Sequence, residues 1–347
     1  MNKARETILR LLSEGKITIE EAEELLDAMT TERVGHVNRD PFANAGRAFQ
    51  EQNKPKHDMQ FDFNFPWDDP DWKWPWEEEG WHWPWEPSAE NEGSESKSTF
   101  YVEENSILII ESSDGNLSIQ LADDDGLVYV NSDDEEIESV LSEDKMTRII
   151  TLGDTNANII IPRRISSVQI SKNDGDISIS DLQSDIELKS DDGNIAFSGI
   201  NGNIRVSMND GSLMINDVNS DEIAIKSDDG NIILNNIISK NVAVKMNDGM
   251  VSMDMANVIT EGTFVIAIDD GRISLSLPSG SNCEIIANVD GGVIRHNLEQ
   301  EGLQLSSIEI KENNDDNGEC SLVATLNGGG AKFALSLDTG EINIQVQ

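Results

Sequence analysis

The chain of 347 residues carries 66 acidic against 25 basic side chains, a formal net charge of -41. Phosphate backbones and anionic lipid are both bound through Lys and Arg, so this balance excludes nucleic acid as a partner class and opposes docking on anionic membranes. It favours a basic partner, a protein or a cationic peptide, and the length allows two domains or one long repeat array with appendages.

Residues 1–31 read as a helical hairpin. Ile8, Leu9, Leu11 and Leu12 make one apolar face, and Gly15 stops the first helix. Thr18, three residues before Glu21, has capping-box spacing, and Glu20 to Glu24 place negative charge at the positive end of the second helix. Ala22, Leu25, Leu26 and Met29 form its apolar face. A hairpin this short cannot bury a self-sufficient core, so Ile8, Leu12, Leu25, Leu26 and Met29 are the candidate docking residues, with a cap on a neighbouring domain as the alternative. The wording ILRLLSEGKITIEEAEELLDAM is similar to the SHOCT-like hairpin. That resemblance implies a docking or oligomerisation element, and a homo-oligomer formed through it.

Residues 32–98 have linker composition, with Gly35, Pro41, Gly46 and Pro55 breaking any long helix. Within them, residues 59–85 hold every tryptophan of the chain: Trp67, Trp72, Trp74, Trp76, Trp81, Trp83 and Trp85. Carboxylates at Asp68, Asp69, Asp71 and Glu77 to Glu79 lie between them, and prolines 66, 70, 75 and 84 forbid a helix or a central strand. Leaving such rings in water costs about 1.5–3 kcal/mol for each large side chain. They are therefore expected to cover an open face or end of the β domain, to capture a cationic amphipathic peptide by burial and cation–π contact, or to sit at a lipid interface, which the acids oppose.

Strand patterning begins near Phe100 and governs residues 99–347. Ile107 to Ile110 precede Asp114-Gly115, which is followed at offsets of three and five by Leu117 and Ile119. Acidic and polar runs at Asp123 to Asp125 and Asn131 to Glu138 interrupt the pattern. Asp-Gly then recurs at Asp174, Asp192, Asp210, Asp229, Asp248, Asp270 and Asp290, in steps of 18, 18, 19, 19, 22 and 20 residues. Three residues after each Asp stand Ile177, Ile195, Leu213, Ile232, Val251, Ile273 and Val293; five after stand Ile179, Phe197, Ile215, Leu234, Met253, Leu275 and Arg295. A second strand fits at Ile186 and Leu188, Ile204 and Val206, Ile223 and Ile225, and Val242 and Val244.

This spacing predicts a mainly β fold: a β-solenoid of 18–20-residue, two-strand coils. Asp-Gly supplies the positive φ its corners need. Arg295, in a column otherwise apolar, predicts that the regular coils end near it. The runs 303–310, 320–326, 332–337 and 341–346 are then expected to form an antiparallel C-terminal cap.

Stacked coils would bring Asp174, Asp192, Asp210, Asp229, Asp248 and Asp270 to one ridge. Neighbours about 4.8 Å apart repel by roughly 0.9 kcal/mol even in water, so the ridge should attract cations or a basic partner. Calcium takes clustered oxygens, yet neither its glycine-rich nonapeptide nor an EF-hand loop occurs, and no metal or cofactor set is read. The four histidines lie mostly in linkers, and no nucleophile elbow, phosphate loop or zinc spacing is present, so no catalytic residue is assigned. Cys283 and Cys320 read as small strand residues.

The stretch IPRRISSVQISKNDGDISISDL followed by SDIELKSDDGNIAF resembles the bacterial putative-adhesin β-repeat family of unknown function. Gly328 to Ile344 (GGGAKFALSLDTGEINI) is similar to its closing strand pair. Paired with a SHOCT-like hairpin, as in LiaX-type envelope-stress proteins, the resemblance implies a non-enzymatic scaffold or binding protein linked to cell-envelope stress. An intracellular regulatory module and, less well supported, a carbohydrate-active β-helix enzyme are the alternatives. The amino terminus lacks the apolar core of a signal peptide, and no run has the length of a membrane span, so cytoplasmic residence is the default expectation and cell-surface association the alternative.

Overall fold

Alternating apolar and polar residues set one face of each strand inward, and the described chain consists of strands, bends and turns. The computed structural model describes residues 97–122, 126–133, 137–255, 257–300, 303–312 and 318–347. The expected hairpin and the Trp-rich segment lie outside these residues.

Parallel strands stack in two sheets that meet at the Asp-Gly corner. In the first, β6 (Thr147–Leu152), β2 (Ser106–Ser112), β8 (Ile165–Lys172), β10 (Asp185–Ser190) and β12 (Ile204–Met208) lie side by side in that order. In the second, β7 (Ala157–Ile161), β3 (Leu117–Leu121), β9 (Ile177–Ser180) and β11 (Asn194–Ser198) do the same. β13 (Ser212–Asp254) then winds unbroken through further coils, pairing with β11 and β12 at its start and with β14 (Thr263–Leu277) at its end.

Each coil also has a short third side. After the second strand the chain turns through Asp181, Gly199, Asp217 or Asn236, all at positive φ between 51° and 69°. The next residue, Leu182, Ile200, Val218 or Ile237, is buried. Backbone bonds link this side between coils, Asn201 N–H to the Leu182 carbonyl at 2.8 Å and Asn219 N–H to the Ile200 carbonyl at 2.9 Å. The two-strand coil read from the repeat is thus three-sided, because one buried residue between two turns is too short to show a strand period.

Stack order departs from chain order twice. The β2–β3 coil lies between the coils of β6–β7 and β8–β9. At the other end β14 is followed by β18 (Ala331–Val346), and β15 (Cys283–His296) pairs on the far side of β18; both contacts are parallel. The expectation that 332–337 and 341–346 form antiparallel closing strands is therefore wrong. They are an interior coil, its Phe333 ring stacked on Phe264 with centroids 4.5 Å apart and planes 10° from parallel.

In the stack the parallel coils do end with β15, the coil that carries Arg295, although the chain later supplies β18 as one more coil in the interior. The column itself is broken for a different reason than a polar side chain turned inward. Gly292, rather than Gly291, sits opposite Gly340, so one extra glycine shifts the register and Ile294 faces Ile342. Arg295 falls on the outer side, where its Nε lies 2.6 Å from Glu341, which Arg272 reaches at 3.0 Å from the opposite coil. Antiparallel strands do close both ends. β17 (Cys320–Leu326) pairs with β15 and β16 (Leu305–Glu312) with β17. At the near end β5 (Ile137–Leu141) pairs with β6, β4 (Leu127–Ser132) with β7, and β1 (Lys97–Tyr101) with β4. These strands protect edges that would otherwise recruit another chain.

Candidate functional site: the carboxylate corner

The corner exists because its glycines touch. Gly193, Gly211 and Gly230 have φ of 121°, 125° and 127°, a region L side chains rarely adopt. A Cβ on Gly211 would lie 2.0 Å from the Gly193 carbonyl oxygen, and one on Gly230 would lie 1.8 Å from that of Gly211. Backbone packed this closely fixes the height of each coil against the next, which is what brings the preceding carboxylates into line.

Asp174, Asp192, Asp210, Asp229, Asp248 and Asp270 all lie exposed on this ridge, and Asp114 extends it at the near end. Asp248 is directly opposite Asp270, which faces Thr339 of β18, which faces Gly291 of β15. The same extra glycine thus displaces Asp290 from the column by one position. Partial desolvation, followed by the charges of Asp174, Asp210 and Asp191, raises the pKa of Asp192. Asp229 is raised in the same way, with Asp248, Asp210 and Asp228 as the charged neighbours.

A second ladder runs beside the first. The residues before the column alternate amide and acid, as Asn173, Asp191, Asn209, Asp228, Asn247 and Asp269. The Asn209 amide donates to Asp191 at 3.1 Å and the Asn247 amide to Asp228 at 3.2 Å. Each amide therefore separates two carboxylates that would otherwise stand about 4.8 Å apart. Both residue types were visible in the sequence; that their alternation relieves charge became visible only with the stacking order.

Lys172 is the residue that sequence reasoning missed. It is buried at 2% exposure at the inner end of its strand, opposite Ser190, whose own neighbour is Met208. Its ammonium donates to Ser112 Oγ at 3.4 Å and to the Ser113 carbonyl at 3.5 Å. Burial lowers its pKa, against the opposing pull of Asp114 and Asp174. The signal was available: a lysine two positions after Ile170 breaks the inward alternation of its strand.

A second concavity, of about 670 Å³, lies on the outer side of β7, β3 and β9 near the β1–β4 wall. It is lined by an amide ladder: Asn156 accepts from the Asn116 N–H at 2.8 Å, Asn116 from the Asp176 N–H at 3.0 Å, and Asp176 from Asn194 at 3.0 Å. This ladder is local support for the stack.

The carboxylates are spread along the stack, one or two to a corner, rather than converged. Among the described residues no group of three or more His, Cys, Asp or Glu side chains is placed to hold a metal ion. Cys283 is buried, its thiol pushed up to about 12 by desolvation and then by Glu284, while Cys320 is only half-buried. The candidate tryptophans Trp67 to Trp85, and Ile8, Leu12, Leu25, Leu26 and Met29, fall outside the described residues.

A family model described as Toastrack DUF4097 matches residues 89–321. The chain belongs to the Toastrack DUF4097 family. A SHOCT-like domain model matches residues 5–33, so the Toastrack domain follows a SHOCT-like one. The Toastrack match stops within β17, before the interior coil that β18 supplies. Two crystal structures are similar. A putative adhesin from Bacteroides fragilis is 13% identical with a TM-score of 0.41, covering 72% of this chain and 96% of its own. A putative cell adhesion protein from Clostridium sporogenes is 11% identical with a TM-score of 0.23, covering 72% of this chain and 99% of its own. No curated protein matches. Among the described residues no helix of the Toastrack domain is long and apolar enough to cross a membrane.

The raised carboxylates give a signed pH dependence. Where the folded pKa of an Asp exceeds the unfolded one, the folded state binds more protons, so stability falls as pH rises through that window and the penalty is absent below the unfolded pKa. Asp192→Asn and Asp229→Asn are therefore expected to raise the thermal midpoint at pH 7 and low salt. The gain should vanish at or below the ordinary Asp value of 3.8. Melting curves against pH check this; a midpoint lowered at pH 7 would show that these side chains stabilise their corners instead.

Proposed function

We propose that the protein is a non-enzymatic binding scaffold linked to cell-envelope stress, in which the Toastrack coils present a rigid ridge of carboxylates to a cationic peptide or protein. The observation that carries this reading is the line of carboxylates from Asp114 to Asp270, one at each corner, held in register by glycine backbones in contact. Rigid, evenly spaced charge raises both the encounter rate and the affinity for a basic partner without ordering cost on the protein side. The names of the two similar structures accord with binding, and the SHOCT-like match ahead of the domain accords with a docking or self-associating element.

Titration of a fluorescently labelled cationic amphipathic peptide tests it. Binding should be clear at low salt, fall steeply as salt rises, and weaken about tenfold in the triple variant Asp192→Asn, Asp210→Asn, Asp229→Asn. Equal affinity of the triple variant would sink the ridge as the binding surface.

The SHOCT-like match also supports a second reading, an intracellular module that docks on another protein through residues 5–33. Protease shaving of intact cells separates the two: a surface scaffold is removed, an intracellular one is retained.

A further inference from the structure

Strand alternation turns every second side chain of the second sheet outward, and at the near end of the stack those side chains are polar. β4 and β1 continue this sheet past β7, and register sets one outward row across six strands. Lys97 lies opposite Asn131, Asn131 opposite Asn158, Asn158 opposite Ser118, Ser118 opposite Ser178, and Ser178 opposite Ala196. At the usual strand spacing the row is about 24 Å long. All six residues line the concavity of about 670 Å³, so this part of the sheet face is hollow rather than flat.

One rim of the hollow is fixed. The amide ladder along it is completed by Asn156, whose side chain donates to Asp133 at 2.8 Å, so its members are held in place before any ligand arrives. The row beside the ladder keeps bonding capacity that the fold leaves unused. Asn158 Oδ1 is a buried acceptor without a hydrogen-bond partner. β7 is paired on both sides, by β4 and by β3, so its neighbours' backbone donors are already engaged and a donor for this oxygen has to come from the groove. Burying an acceptor unmet is costly, and a ligand hydroxyl placed there removes that cost.

We propose that this groove binds an extended, neutral chain of β-linked pyranoses, laid across the strands with its hydroxyls on the row from Asn131 to Ser178. A sugar hydroxyl both donates and accepts, and so do the amides and hydroxyls that it would meet. The step from strand to strand, about 4.8 Å, is close to the length of one pyranose in an extended chain, so successive sugars can meet successive strands. An anionic glycan is disfavoured by the net charge of -41 and by Asp133 and Asp176 on the rim. A peptide that adds a strand needs a free sheet edge, whereas this face offers side chains alone. The row also ends on apolar surface: Ala196 is followed by Met214, which is 42% exposed and can carry the C–H face of a ring.

Titration calorimetry of the full chain with cellohexaose and with chitohexaose tests this. At least one should bind, with an affinity that stays constant as salt rises, which separates it from a ligand of the carboxylate ridge. Asn158→Leu should weaken binding about tenfold while the thermal midpoint holds or rises, because the acceptor it removes has no partner to lose. Ser178→Ile, at an exposed position, fills the groove and should also weaken binding about tenfold; it decides the matter if Asn158→Leu fails to fold. Ser252→Asp, outward between buried Val251 and Met253 and further along the stack, should leave the affinity unchanged. Absence of binding by both hexasaccharides, unchanged affinity in a folded groove variant, or equal affinity for maltohexaose, whose α-linked chain coils, overturns the proposal.

Discussion

Gly211→Ala is expected to cost about 4 kcal/mol or more, lowering the thermal midpoint by roughly 10 °C in a domain of this size. Two effects combine. The residue sits at φ 125°, which costs an L side chain of order 1–3 kcal/mol, and its new methyl would lie 2.0 Å from the Gly193 carbonyl oxygen. That oxygen belongs to backbone held by the coils on either side, so it cannot yield as the end of a flexible side chain would. Gly153→Ala is the internal comparison: nothing lies within 4 Å of its Cβ position, and the change should stay within about 0.5 kcal/mol. Urea unfolding of both variants measures the difference. A loss below about 1 kcal/mol for Gly211→Ala would mean that the coils are not in backbone contact at the corner, and the register of the carboxylates would go with it.

Phe333→Ala is the second large effect, with an expected loss of about 3–5 kcal/mol. Phe333 is 1% exposed and its ring stacks on Phe264, so truncation removes both the buried area and an aromatic pair, and leaves a cavity between coils that cannot close independently. β18 also pairs with both β14 and β15, so this cavity loosens the attachment of β15, β16 and β17 as a group. The same truncation at Ile308 of β16, only partly buried at the closed end, should cost much less. Equal losses at the two positions would indicate that residues 331–346 behave as an end cap, as the sequence pattern alone suggested.

The two results probe different kinds of information. Asp-Gly at a step near nineteen, with apolar residues three and five positions later, is a local signal: it says which side chains face inward and where the chain must turn, because side-chain direction and positive φ are set within a few residues. The strands, the corner glycines and the membership of the carboxylate column from Asp174 to Asp270 follow from it. Lys172 and the alternation of Asn and Asp were also on view, but their meaning depends on which coil lies above and below.

Which coil lies above and below is what periodicity leaves open. Parallel ladders of like coils present nearly the same hydrogen-bonding edge, so the backbone alone accepts several stacking orders; the choice falls to non-local fits such as Phe333 on Phe264 and Glu341 between Arg272 and Arg295. One additional glycine at 291–292 was enough to move Asp290 out of the column and Arg295 to the outside, a slip that no count of offsets reveals until the partner strand is known. Sequence by itself therefore determined the coil, its corner and its charge. The tertiary structure decided the order of the coils and the interior place of β18, because those rest on contacts between residues that the chain keeps far apart.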